Sequence, residues 1–159
     1  MEPHKYDPHR HHRRSIRLPG RDYTATSAYF VTIGIAQKLP LFEIPELRKI
    51  LLATWKALPE RFAGVTLDVF VVMPDHIHFI IWLDNTCENP PTLGVVVGAY
   101  KSLTTVAWLQ HIQSANLEYP GRFWHRNFYE HIVRIPELAD TRLYILNNPM
   151  KLQQKEDEM

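Results

Sequence analysis

The sequence predicts an α+β fold, a two-layer sandwich in which a central antiparallel sheet carries its helices mainly on one face. Three observations predict it. β-branched and aromatic runs alternate with amphipathic stretches in the order strand, helix, strand, strand, helix, strand, helix, and an antiparallel sheet covered by helices is the compact answer to that order. Two strand runs are separated only by Pro74-Asp75, a turn signal that makes them a hairpin. The chain has 159 residues, 45% of them hydrophobic, which suits one domain with a core of its own.

Each element has its own signal. Tyr29-Phe30-Val31-Thr32-Ile33-Gly34-Ile35 reads as the first strand. Residues 45–61 read as an amphipathic helix, with Pro45 at its first turn and Leu47, Ile50, Leu51, Trp55 and Leu58 at helical spacing. Residues 66–73 and 76–83 form the hairpin. The second of these places Ile77, Phe79, Ile81 and Leu83 on one face and His76, His78, Ile80 and Trp82 on the other. Residues 92–112 read as a helix despite the weak helix formers Val95-Val96-Val97 and Gly98. Residues 126–134 read as a fourth strand, with Phe128, Glu130 and Ile132 opposite Tyr129, His131 and Val133. The last helix runs from about Pro136 to Asn148, where Pro149 argues for a stop. Its expected buried stripe is Ala139, Leu143, Leu146 and Met150, with Glu137, Thr141, Tyr144 and Asn148 on the opposite side.

This divides the chain into a basic, flexible arm over residues 1–25, a single domain over 26–150 and a polar tail over 151–159. No apolar run approaches the roughly 18 residues of a membrane span, and the basic, histidine-rich start is not a secretory signal. One cysteine, Cys87, makes no internal disulfide, and a cytoplasmic location follows. The net charge is only +1, yet the arm concentrates Arg10, Arg13, Arg14, Arg17 and Arg21, a pattern suited to a polyanion or to a solvated terminus.

The chemistry centres on His76-Ile77-His78. Residues two apart on a strand share a face, so these imidazoles can converge on one cation. Tyr144 and Asn148 lie four apart on the last helix and share a face there. A phenol has a pKa near 10 and needs a cation to act as a nucleophile on phosphate. Two imidazoles and the Asn148 amide oxygen make a mixed site suited to Mg²⁺ or Mn²⁺. Tyr129 and Tyr100 are alternative nucleophiles. Tyr129 sits among Phe123, Trp124 and Phe128, a cluster read as core in preference to a base-stacking surface.

The chain resembles the HUH single-tyrosine transposases, and within them the REP-associated tyrosine transposases of bacteria. The resemblance rests on Arg13-Arg14-Ser15-Ile16-Arg17-Leu18-Pro19-Gly20, Tyr29-Phe30-Val31-Thr32-Ile33, Val72-Met73-Pro74-Asp75-His76-Ile77-His78, Val97-Gly98-Ala99-Tyr100-Lys101-Ser102, the run from Phe123 to Arg134, and Tyr144-Ile145-Leu146-Asn147-Asn148-Pro149. It implies a ferredoxin-like domain, a divalent cation on His76 and His78 with Asn148 as a third ligand, and Tyr144 as the nucleophile. The implied substrate is single-stranded DNA folded into a hairpin, cut through a 5′-phosphotyrosine intermediate. Arg13, Arg14, Arg17, Lys101, Arg126, His131 and Arg134 are the expected DNA contacts, in a nucleoid-associated monomer or homodimer. Asp75 stands where many relatives have asparagine. Two other functions fit the same residues: a catalytically silent DNA-hairpin binder, and a metal-dependent phosphoesterase that uses water.

Overall fold

In a computed structural model, residues 26–37 and 39–157 are described, from 149 onward as backbone alone. The candidate DNA contacts Arg13, Arg14 and Arg17, and the basic arm as a whole, lie outside the described residues.

Four strands, β1 (Ser27–Gly34), β2 (Val65–Val72), β3 (His76–Leu83) and β4 (Tyr129–Val133), form one sheet in the order β2-β3-β1-β4. All three neighbouring pairs are antiparallel. With α1 (Pro45–Arg61) joining β1 to β2 and α2 (Leu93–Ser114) joining β3 to β4, this is the ferredoxin-like arrangement. The third helix, α3 (Leu138–Asp157), follows β4.

Alternation along the strands sorts the side chains into two cores. Val31 and Ile33 of β1 and Ile77, Phe79 and Ile81 of β3 pack under Leu47, Leu51 and Trp55 of α1 and Val97, Tyr100 and Trp108 of α2. Pro45 occupies the first turn of α1, where its missing N–H costs nothing. Thr92 caps α2 by accepting a hydrogen bond from the Val95 N–H at 3.2 Å, which helps hold a helix whose first turns are valine-rich. One polar group is trapped on this side. Glu130 of β4 is 7% exposed, its carboxylate oxygens have no hydrogen-bond partner among the described residues, and burial pushes its carboxyl up to about 7.

The opposite face holds a smaller cluster: Ala28, Val71, Ile80 and Val133, covered by Ile145 of α3. Here the structure corrects the expected helix face. Leu143 and Leu146 are 56% and 50% exposed, while Ile145 is fully buried and Leu138 packs beside it. Arg142 explains the rotation. Its guanidinium makes two hydrogen bonds to Asp68 of β2, Nε to Oδ1 at 2.9 Å and Nη2 to Oδ2 at 2.6 Å, and Trp82 Nε1 donates to the same carboxylate at 2.8 Å. A charged residue therefore joins the docking stripe in place of a leucine. The helix also runs through Pro149, where a stop was expected. Inside a helix a proline loses its N–H bond to the carbonyl four residues back, here that of Ile145, and its ring crowds that carbonyl, a cost set against the good helix formers Lys151, Leu152, Gln153, Gln154, Lys155 and Glu156 that follow.

Candidate active site

The strand register builds the site. Val71 of β2, His78 of β3, Thr32 of β1 and Tyr129 of β4 lie side by side in one row on the α3 face. His76 begins β3 at the mouth of the hairpin turn. That turn is fastened from outside by two backbone hydrogen bonds, the Ile35 N–H to the Asp75 carbonyl at 2.9 Å and the Phe42 N–H to the Pro74 carbonyl at 3.0 Å. The paired residues therefore stand on fixed backbone rather than on a free loop.

The imidazoles are oriented from behind. Asp75 Oδ1 is 2.6 Å from His76 Nδ1, and Thr32 Oγ1 is 2.8 Å from His78 Nδ1. With both Nδ1 atoms engaged, the two Nε2 atoms point at each other across 3.0 Å. Two ligand nitrogens on adjacent corners of an octahedron with bonds of about 2.1 Å stand about 3.0 Å apart, so the spacing suits a shared divalent cation. Burial, and secondarily the neighbouring His76, depress the His78 pKa to about 4, which keeps its ring neutral and its lone pair available at pH 7. Among the described residues no three His, Cys, Asp or Glu side chains converge. Any cation on this pair would take its remaining ligands from an amide such as Asn148, from water or from substrate oxygens. Asn148 is half-buried on α3, one turn beyond Tyr144, and makes no hydrogen bond to either imidazole.

Tyr144 is 52% exposed, so its ring overlooks the cleft instead of filling the core. Its ring centroid lies 6.4 Å from that of His78 and 6.3 Å from that of Phe30, both at steep angles. Phe30 is the hub of this wall, stacked on His78 at 5.6 Å and meeting Tyr129 edge-on at 6.1 Å.

The other tyrosines separate cleanly. Tyr100 is buried, its hydroxyl donates to the Leu51 carbonyl at 2.9 Å, and burial raises its pKa well above the ordinary value, which removes it as a nucleophile. Tyr129 corrects the core reading. It is 40% exposed, whereas Phe123 and Phe128 beside it are buried. It belongs to the wall of a cavity of about 300 Å³ that also includes Thr32, Asp75, His76 and His125.

The expected DNA contacts scatter. His131 is exposed on the site face, 3.4 Å from Glu137. Arg134 is exposed at the end of β4 and Arg126 on the loop before it. Lys101 is turned inward: its ammonium donates to the His125 carbonyl at 2.8 Å and the Arg126 carbonyl at 3.4 Å, and stands 5.7 Å from the centre of the Phe128 ring. It fastens the loop to α2. Sequence reasoning missed Thr32, whose partnership with His78 follows from sheet register, and His125, which carries no local motif.

No protein-family model matches the chain. An uncharacterized protein of Haemophilus influenzae is 32% identical over 178 residues, an alignment covering 94% of this chain and 95% of that protein. This chain belongs to the family of that Haemophilus protein. Among solved structures it is similar to a REP-associated tyrosine transposase bound to a REP hairpin, with a TM-score of 0.60, 19% identity, and coverage of 86% of this chain and 74% of that one. It is also similar to a protein of Deinococcus radiodurans R1 described as a candidate transposase, with a TM-score of 0.56, 17% identity, and coverage of 82% and 97%. At such identities the likeness is one of fold. Among the described residues no helix is long and apolar enough to cross a membrane.

Proposed function

We propose that this protein is a metal-dependent single-stranded DNA nuclease and strand transferase that acts on hairpin DNA through a 5′-phosphotyrosine intermediate. One observation carries the reading: two imidazoles with facing Nε2 atoms 3.0 Å apart, and an exposed phenol ring 6.4 Å from one of them. The similar fold of a transposase bound to a REP hairpin supports the choice of substrate.

In this reading His76 and His78, with Asn148, hold Mg²⁺ or Mn²⁺. The bound ion would polarise the scissile phosphate and offset its charge as the nucleophile approaches. Asp75 and Thr32 hold the imidazoles in the tautomer that presents Nε2 to the cleft. Tyr144 releases its phenolic proton to water, and its oxygen forms a bond to phosphorus as the bond to the 3′-oxygen breaks. The leaving oxygen takes a proton from water and becomes a free 3′-hydroxyl. The 5′ side stays esterified to Tyr144, so attack by another 3′-hydroxyl rejoins strands with no outside energy source. Phe30 supports the Tyr144 ring edge-on, and Ile145 and Arg142 fix the helix that carries it.

The test is a labelled single-stranded hairpin oligonucleotide incubated with the protein and Mn²⁺, then run on a denaturing gel. A covalent protein–DNA band is expected for wild type and Tyr129→Phe and is lost in Tyr144→Phe. A band lost in Tyr129→Phe and kept in Tyr144→Phe would move the nucleophile to β4. Cutting without any band would replace the tyrosine by water, and binding without cutting would leave a silent hairpin binder.

A further inference from the structure

A second cavity lies beside the histidine cleft, and His125 is part of the wall of both. It encloses about 420 Å³ between α2 and the loop ahead of β4, within the ~300–1,000 Å³ usual for ligand sites. Ser102 and Thr105 line the helix side, and Arg122, Trp124, His125 and Arg126 line the loop side. Arg122 and Arg126 are exposed and form no ion pair among the described residues. Two arginines lining one cavity, with no ion pair among the described residues, suit an anion, because each guanidinium offers a planar fork of donors that fits phosphate. The loop is not loose. Lys101 holds the carbonyls of His125 and Arg126, and the Asn127 N–H donates to His125 Nδ1 at 3.1 Å, which leaves the proton of the neutral ring on Nε2 as a further donor. Trp124 is half-buried, its Nε1 donating to Thr104 Oγ1 at 2.9 Å, so its ring is fixed in place.

We propose that this cavity seats one unpaired nucleotide flanking the cleaved phosphate, with its phosphodiester between Arg122 and Arg126 and its nucleoside inside the cavity. The inference rests on the strand-transferase reading, since it supposes that the strand leaving the histidine cleft is DNA. It assigns His125 to the crossing between the two cavities. Contacts of this kind set the register of the strand, and thereby which phosphate is presented to Tyr144, without reading sequence through the phosphate itself.

The test measures binding of a fluorescein-labelled hairpin oligonucleotide with unpaired flanks, in a Tyr144→Phe background so that nothing is cut. Each flanking phosphate in turn is made a neutral methylphosphonate. One position is expected to weaken binding about tenfold, the scale of a charge-assisted contact. The same position should cost nothing further once Arg122→Gln and Arg126→Gln are introduced. That double variant should also flatten the slope of log affinity against log salt by about 0.7, the loss of one neutralised phosphate on a single strand. Equal effects of every methylphosphonate in both proteins, or an Arg122→Gln/Arg126→Gln protein that keeps its circular dichroism, affinity and salt slope, would overturn the subsite. The gel assay on wild type reports separately. A phenotype confined to one phosphate in a protein that forms no Tyr144 adduct keeps the cavity and discards the strand transfer. An adduct with no arginine-dependent phosphate does the reverse.

Discussion

The two faces of the sheet are filled from the same strands yet sealed by different forces. Under α1 and α2, interlocking apolar side chains exclude water over a core that reaches from Tyr29 to Phe128. Under α3, Ile145 and Leu138 cover a small patch, and a partly solvated carboxylate–guanidinium pair between Asp68 and Arg142 adds to the attachment. Each face also contains one perturbed acid, and they are perturbed in opposite directions. Glu130, without a hydrogen-bond partner among the described residues on the sealed face, has its pKa raised by burial, while Asp68, gripped by Arg142 and Trp82 on the open face, has its pKa lowered. The sealed face supplies stability that the open face does not have to provide, and the open face can leave His76 and the Tyr144 phenol in reach of solvent while His78 stays buried beside them.

The largest expected effect tests that division directly. Leu51→Ala empties part of the sealed core and should cost about 2–5 kcal/mol in denaturant unfolding, while the adduct formed per folded molecule stays at the wild-type level. Ile145→Ala should instead raise amide hydrogen exchange along α3 while the strands stay protected, because few other apolar groups hold that helix. If both variants unfold the whole domain in one step with no selective exposure of α3, the faces are one cooperative unit and the contrast fails.

Next comes the hydrogen bond behind His78. Thr32→Val keeps the side-chain shape and removes the Nδ1 partner. Loss of such a supporting bond typically lowers metal affinity about 10–100-fold, and titration with Mn²⁺ followed by electron paramagnetic resonance reads it without any turnover. Unchanged Mn²⁺ binding would mean that Thr32 does not orient the ring.

These predictions also mark what local pattern conveys. The strand alternation that separates Ile77, Phe79 and Ile81 from His76, His78 and Ile80 has a period of two and needs no tertiary knowledge, so the sheet and the histidine face were legible. The face of α3 was not. Leu143 and Leu146 look like core residues by hydrophobicity, and what turns them outward is Arg142 reaching Asp68, a partner 74 residues away in the sequence. Tyr129 looked like core for a similar reason: its aromatic neighbours Phe123 and Phe128 are core, but they sit on the far side of the strand or ahead of it. Lys101 read as a phosphate ligand because nothing local reveals the carbonyls of His125 and Arg126 that occupy its ammonium.

The acid of the sealed face gives the third effect. Glu130 begins near 4.5 in the unfolded chain and reaches about 7 when folded, so the folded state prefers its proton. Stability is therefore fully present below the unfolded pKa and declines as pH rises through the folded one. Glu130→Gln should raise the melting temperature at pH 8, corresponding to about 1–3 kcal/mol of relieved burial cost, and the gain should shrink toward pH 4.5. A gain that is equal at both pH values would show that the carboxyl is neutral or solvated throughout.

Asp68 should do the opposite, and by less. Arg142 hydrogen bonding, ahead of Trp82 and the Val69 N–H, lowers its folded pKa below the ordinary 3.8, so its contribution is present above that value and is lost as pH falls through the folded pKa. The pair is partly solvated, with side-chain exposures of 41% for Arg142 and 10% for Asp68, so solvent screening limits what it contributes. Asp68→Asn should thus loosen α3 at pH 7, seen as faster amide exchange around Arg142 and Ile145, and the difference from wild type should shrink as the pH falls through the folded pKa of Asp68. Because Tyr144 is carried two residues beyond Arg142, the same variant should slow adduct formation more than it weakens DNA binding. Equal exchange in the two proteins at pH 7 would leave α3 held by Ile145 and Leu138 alone, and the open face would then be sealed by the same apolar force as the closed one.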